Sequence, residues 1–224
     1  MKNYLKIIAL LATCSMATSL FAVSHGNNGW KPLSDGKTLK GFAVVQGFAN
    51  YYVEDGAILG RTAEGSPNTF LTTYDKYGNF ELKFEVKVDV GLNSGVQIRS
   101  HSRDFGTRRY FGPQVEIETS PGQAGWIYGE GLNTGWISEE PESKDKSVNE
   151  HSYVKNNDWN EFHIIAKGDT ITTFINGNQV TKLNLPGTIH RENPSGSIGF
   201  QVHGIKAGTG PYEVRWRNIM IKEL

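Results

Sequence analysis

The sequence predicts an all-β chain folded as a two-sheet antiparallel β-sandwich or jelly roll, and three observations carry that prediction. Apolar and polar residues alternate at period two in one segment after another. Asp-Gly and Asn-Gly dipeptides fall between such segments, where type I′ hairpin turns need positive φ angles. No segment of useful length repeats its apolar residues at the helical period. Many short strands joined by turns, without helices between them, build sandwiches and jelly rolls.

At 224 residues the chain is long enough for one large all-β domain with a real core. Lys and Arg together number 23, as do Asp and Glu, so no net charge draws the chain to nucleic acid or to an anionic membrane.

Residues 1–24 read as a signal peptide. Lys2 and Lys6 make a positive start, and Ile7 to Ala12 begins an apolar run too short to span a bilayer. Ala22 and Ser24 offer small residues for cleavage before His25. The expectation is an exported protein, periplasmic or extracellular, with a single domain at 25–224 and no transmembrane segment once mature. Leu11-Ala12-Thr13-Cys14 supplies the alternative of a lipoprotein anchored through Cys14, with Thr13 a poor fit before the cysteine. Cys14 is the single cysteine, so cleavage beyond it leaves no disulfide, no cysteine-based metal site and no cysteine nucleophile.

The strands follow in order. Asp55-Gly56 separates Tyr51–Glu54 from Ala57–Gly60 as a hairpin. Phe80 to Val90 is the clearest strand. Its even-numbered residues Phe80, Leu82, Phe84, Val86, Val88 and Val90 are apolar, and the intervening positions are charged. Such alternation places one face on a core and one in water. Asn93-Ser94-Gly95 reads as a turn, and further strands read at Val96–Ser100 and Gln114–Glu118. Thr119 to Asp158 breaks the pattern, being glycine-rich and polar with Trp126, Tyr128, Trp136 and His151 inside it. A connection of that length with aromatics in it points to function rather than disorder. Strands resume at Trp159–Lys167, at Ile171–Ile175 with an Asn176-Gly177 turn and a short return, at Ser197–His203 and at Tyr212–Ile221.

Three of these strands carry an unusual polar face. Side chains alternate in a strand, so Gln97 shares a side with Arg99, and Gln114 with Glu116 and Glu118. Gln201 and His203 likewise oppose Ile198, Phe200 and Val202. Within one sheet these residues would gather amides, a guanidinium, carboxylates and an imidazole, a set suited to sugar hydroxyls or a carbonyl oxygen. Trp126, Tyr128 and Trp136 are candidates to stack on a pyranose. No HExxH, phosphate-binding glycine loop or G-x-S-x-G elbow is present.

The segments WKPLSDGKTLKGF, VEDGAILG, YGNFELKFEVKV, NSGVQIRS, FGPQVEIE, GWIYGEG, DWNEFHIIAKG, TFINGNQV, GSIGFQVHG and VRWRNIMIKEL together resemble the 3-keto-disaccharide hydrolase domain family. The resemblance runs from Trp30 to Leu224 and implies a concanavalin A-like jelly roll that cleaves glycosides oxidised at C3. Several relatives place a glutamate before the glutamine of FGPQVEIE and an aspartate near its end, where this chain has Gln114, then Glu116 and Thr119.

A C3 ketone acidifies the proton at C2, and loss of that proton gives an enediolate able to expel the substituent at C1. Such chemistry needs a base, an oxyanion stabiliser and an acid for the leaving oxygen. By strand face and family position, Glu116 is the expected base or acid and Arg99 the oxyanion stabiliser. His203 is the second proton-transfer group, or a ligand should a divalent metal take part; no other cofactor is expected. Gln97, Gln114, Glu118, Tyr128, Gln201, Trp126 and Trp136 are the expected substrate contacts. The alternatives are a non-catalytic carbohydrate-binding module and a retaining glucanase using Glu116 with Glu118.

Overall fold

The computed structural model describes residues 28–102, 109–119, 122–138 and 153–224. The leader at 1–24 with Cys14, and His151, lie outside them.

In chain order the first strands are β1 (Trp30–Pro32), β2 (Phe42–Val45), β3 (Asn50–Glu54), β4 (Ala57–Arg61) and β5 (Thr69–Thr73). Next come β6 (Phe80–Val88), β7 (Ser94–Ser102), β8 (Tyr110–Ile117), β9 (Ile127–Glu130) and β10 (Gly135–Trp136). The last are β11 (Asn160–Lys167), β12 (Thr170–Ile175), β13 (Asn178–Asn184), β14 (Ser197–Val202) and β15 (Glu213–Glu223). A short helix, α1 (Gly187–Glu192), stands before β14.

The strands form two antiparallel sheets. The back sheet runs β13-β12-β11-β6-β15-β4-β3, with β1 added beside β15. The front sheet runs β10-β9-β8-β7-β14-β5-β2. β7 and β8 are consecutive in the chain, while β14 comes from much later in it, so the fold itself brings β14 beside them.

Both expected hairpins form. Asp55 and Gly56 have φ of 49° and 78°, and Asn176 and Gly177 have 50° and 81°, the positive values that twist-matched two-residue turns require. β6 alternates as expected between buried apolar and partly exposed charged residues. Val90, expected on its buried face, is 54% exposed instead. The strand ends at Val88, and Val90 with Gly91 at φ 89° forms the turn that the Leu92 N–H closes onto the Asp89 carbonyl at 3.0 Å.

The core fills the space between the sheets. Phe84 and Phe162 stack at 5.4 Å on the back sheet. Phe200 from the front sheet meets Phe84 edge-on at 6.2 Å and Trp216 at 5.6 Å. Val115, Ile117, Phe200 and Val202 are wholly or almost wholly buried, so the opposite faces of β8 and β14 look away from the core.

Strand β7 is one that departs from period two. The β7–β8 register shifts by a residue between Gln97 and His101, and the β7–β14 register shifts alongside it. Arg99 sits in this β-bulge with φ of 50°. The extra residue turns the Arg99 side chain out of the polar face and sends it to the connections that lead into β6 and out of β11. Its Nε donates to the Gly78 carbonyl at 2.7 Å and Nη1 to the Gly168 carbonyl at 2.6 Å. Nη2 donates to Asn79 Oδ1 at 3.2 Å, and His190 Nδ1 accepts from Nη1 at 3.3 Å. The expected oxyanion stabiliser is therefore a fully buried tie between the two sheets.

Candidate functional site

The outer face of the front sheet holds a cavity of about 270 Å³. Gln114, Glu116, Gln201, His203, Tyr128 and Trp136 line it, together with Asn93, Gln123 and Glu130. The strand registers explain the convergence. Gln114 lies between Gln97 on β7 and Tyr128 on β9, while Glu116 and Gln201 flank Gly95 on β7.

Gly95 is the opening through which the floor is built. A Cβ at this position would stand 2.5 Å from Gln114 Cδ and 2.6 Å from its Cγ. Without that carbon, the Gln114 side chain lies across the strand. Its Nε2 donates to Glu116 Oε1 at 2.7 Å and to Gln201 Oε1 at 3.4 Å. Gln114 Oε1 and Gln201 Nε2 are left, buried, with no hydrogen-bond partner among the described residues. A buried amide edge without a partner is costly unless something else satisfies it. Both side chains line the cavity, and between them they bring an acceptor and a donor, the pair a sugar hydroxyl uses.

Glu116 is 5% exposed and doubly held. Asn93 Nδ2 donates to its Oε2 at 2.9 Å, opposite the Gln114 bond to Oε1. Burial pushes the carboxyl up to about 7 against the pull of both donors, and the nearby Glu118 and Glu130 carboxylates add to the rise. A carboxyl that is part protonated at neutrality can give or take a proton at little cost.

Glu130 is the second acid of the cavity. Burial raises its pKa, while Arg109, His203 and the Asn68 amide favour its ionised form. His203 follows β14 directly and binds the Gly204 carbonyl through Nδ1 at 2.7 Å. Tyr128 and Trp136, paired on β9 and β10, meet edge to face at 5.3 Å and form an aromatic wall. Among the described residues, no three His, Cys, Asp or Glu side chains gather as a metal site.

Four expected residues stand elsewhere. Arg99 ties the sheets together. Gln97 keeps the expected face but is wholly buried, with neither amide atom hydrogen-bonded to protein; Tyr110 lies across the neighbouring Gly199. Glu118 leaves the face because β8 ends at Ile117, and its Oε1 instead takes the Gln123 backbone N–H. Trp126 serves the site by its backbone, whose carbonyl accepts the Glu116 N–H at 2.9 Å.

The sequence reading missed Asn93, Gln123 and Glu130. Asn93 looked like part of a turn, yet it immediately precedes β7 and reaches Glu116. Glu130 had a usable signal: Ile127-Tyr128-Gly129-Glu130 alternates, which puts Tyr128 and Glu130 on one side.

A family model described as the 3-keto-alpha-glucoside-1,2-lyase-like domain matches residues 29–222. No curated protein matches the chain in sequence. Among solved structures, the chain is similar to a candidate glycosyl hydrolase of Parabacteroides distasonis, at TM-score 0.61 and 19% identity over 89% of this chain and 95% of that one. It is also similar to a β-glucanase of Bacillus licheniformis, at TM-score 0.57 and 12% identity over 87% and 97% of the two chains. A carbohydrate-binding module of Bacillus subtilis matches at TM-score 0.50 and 12% identity, over 82% of this chain and 96% of that one. At such identities these likenesses show the jelly-roll fold.

Proposed function

The chain belongs to the 3-keto-alpha-glucoside-1,2-lyase-like domain family, and on that basis we propose that it is an exported enzyme that cleaves glycosides oxidised at C3. The observation that carries this reading is Glu116, a buried carboxyl raised to about 7 beside unpartnered amides in a sugar-sized polar cavity.

The chemistry runs in two stages. Removal of the C2 proton leaves its electron pair on the sugar as an enediolate spread onto the C3 oxygen. Collapse of that pair forms the C1–C2 double bond and expels the C1 oxygen, which takes up a proton. Water adding at C1 then completes a hydrolysis; without that addition the reaction is a lyase reaction. Glu116 carries one of the two protons. With Arg99 buried away from the cavity, the oxyanion donor falls to the amides that line it, Gln201 among them. Tyr128 and Trp136 supply the face against which the ring stacks.

The second reading is a carbohydrate-binding module, which the amide floor and aromatic wall would serve equally well. The glucanase reading is weaker because Glu118 turns from the cavity to the Gln123 amide. Incubation with native and 3-keto disaccharides, followed by mass spectrometry of the products, separates all three. Cleavage of the keto sugars alone supports the proposal. Binding without cleavage gives the module, and cleavage of an unmodified β-glucan gives the glucanase.

A further inference from the structure

The segment after β14 is tied down by one side chain. Asn68 Oδ1 accepts the Gly204 N–H at 2.9 Å, and the Gly204 carbonyl accepts from His203 Nδ1 at 2.7 Å. A carbonyl can only accept, so Nδ1 carries the hydrogen and Nε2 of the neutral ring keeps its lone pair. The same bond fixes which way the Asn68 amide faces. Its oxygen is taken by Gly204, leaving Nδ2 as the edge that meets the Glu130 carboxylate and favours its charge. Gly204 packs too closely for any side chain, since a Cβ there would stand 2.5 Å from the Ser66 carbonyl.

We infer that Asn68 is a positioning residue that holds His203 as the Nδ1–H tautomer, with Nε2 as the base of the cavity and Glu130 as its counter-charge. The inference rests on the acid–base reading of this cavity. It divides the two proton transfers. His203 Nε2 takes the C2 proton through its lone pair while the C–H electrons stay on the sugar, and the imidazolium formed is matched by Glu130. Glu116, protonated on one oxygen, gives that proton to the oxygen leaving C1. Arg109 also bears on Glu130, so His203 and Arg109 share this carboxylate.

The test is imidazole ¹⁵N NMR of the full chain in mildly alkaline buffer, with His203→Gln used to assign the signals. The wild type should show His203 protonated on Nδ1 alone. Asn68→Ala should give mixed tautomers and lower kcat by about 10²-fold, the scale of a misplaced group, with KM little changed. Asn68→Asp keeps an acceptor for Gly204 but sets a carboxylate against Glu130, so it should retain the tautomer and still lose rate. A wild-type His203 protonated on Nε2, or an Asn68→Ala protein with tautomer and kcat unchanged, overturns the inference. The tautomer is read without substrate. A wild type that holds Nδ1–H yet cleaves no 3-keto-glycoside therefore overturns the functional reading and leaves the anchoring by Asn68 standing.

Discussion

Gln114 Nε2 lies 2.7 Å from Glu116 Oε1, two residues along the same strand, and only a glycine on the neighbouring strand leaves room for the side chain that makes this bond. The proposed proton carrier is thereby oriented by an amide that also meets Gln201.

Glu116→Gln should cut the cleavage rate of a 3-keto-glycoside by about 10²–10⁴-fold, the range for a lost general acid or base. The new amide can be accommodated by rotation of Gln114, whose Oε1 has no hydrogen-bond partner among the described residues. Steady-state kinetics with circular dichroism checks both rate and fold.

The same substitution should flatten a slope in stability. Burial pushes folded Glu116 up to about 7 from its ordinary 4.5, so between these pH values the native state holds the extra proton. Stability from this group is therefore full below about 4.5 and lost as pH rises towards 7, by about 3 kcal/mol at most. Urea denaturation at about pH 5 and about pH 8 should show a smaller pH-dependent loss in Glu116→Gln than in wild type.

Asn93→Ala removes the donor to Glu116 Oε2, an interaction that favours the ionised form. The limb of the pH–rate profile governed by Glu116 should move to higher pH. A profile that stays in place would show that another group governs the limb.

Gly95→Ala should displace Gln114, because the added methyl would stand 2.5 Å from its Cδ. A rate loss of about 10²-fold is expected from the disturbed floor, with a stability cost of about 1–3 kcal/mol from overpacking. Kinetics and thermal unfolding of the variant measure the two effects separately.

Arg99→Met should act on the fold rather than on the chemistry. It strips donors from the Gly78 and Gly168 carbonyls, for an expected loss of about 3 kcal/mol or more in chemical denaturation. Activity per folded molecule should stay within about tenfold of wild type, since Arg99 does not line the cavity.

The strand faces of β6, β14 and the Gln114–Ile117 half of β8 were legible in the sequence because residue types alternate there at period two. Glu116 and His203 were found that way, and the fold does bring them to one cavity. Arg99 was misplaced because a bulge adds one residue without leaving a mark in the apolar pattern; His101 after it pairs with Phe111, on the side opposite Gln97. Glu130 was overlooked because β9 is only four residues long and lies in a glycine-rich stretch. The Asn68 and Asn93 contacts join residues distant in sequence, which no local pattern records.

The alternation along β8 has a consequence for how this chain can change over generations. Val115 and Ile117 fill the core while Gln114 and Glu116 serve the cavity, so substitutions at one pair leave the volume seen by the other untouched. New sugar preferences can thus be explored on the cavity side at little risk to folding. Gain or loss of a single codon within the strand is another matter. It would exchange the two sets wholesale, setting a carboxylate among the phenylalanines and a valine under the substrate. This strand is open to replacement and closed to changes in length.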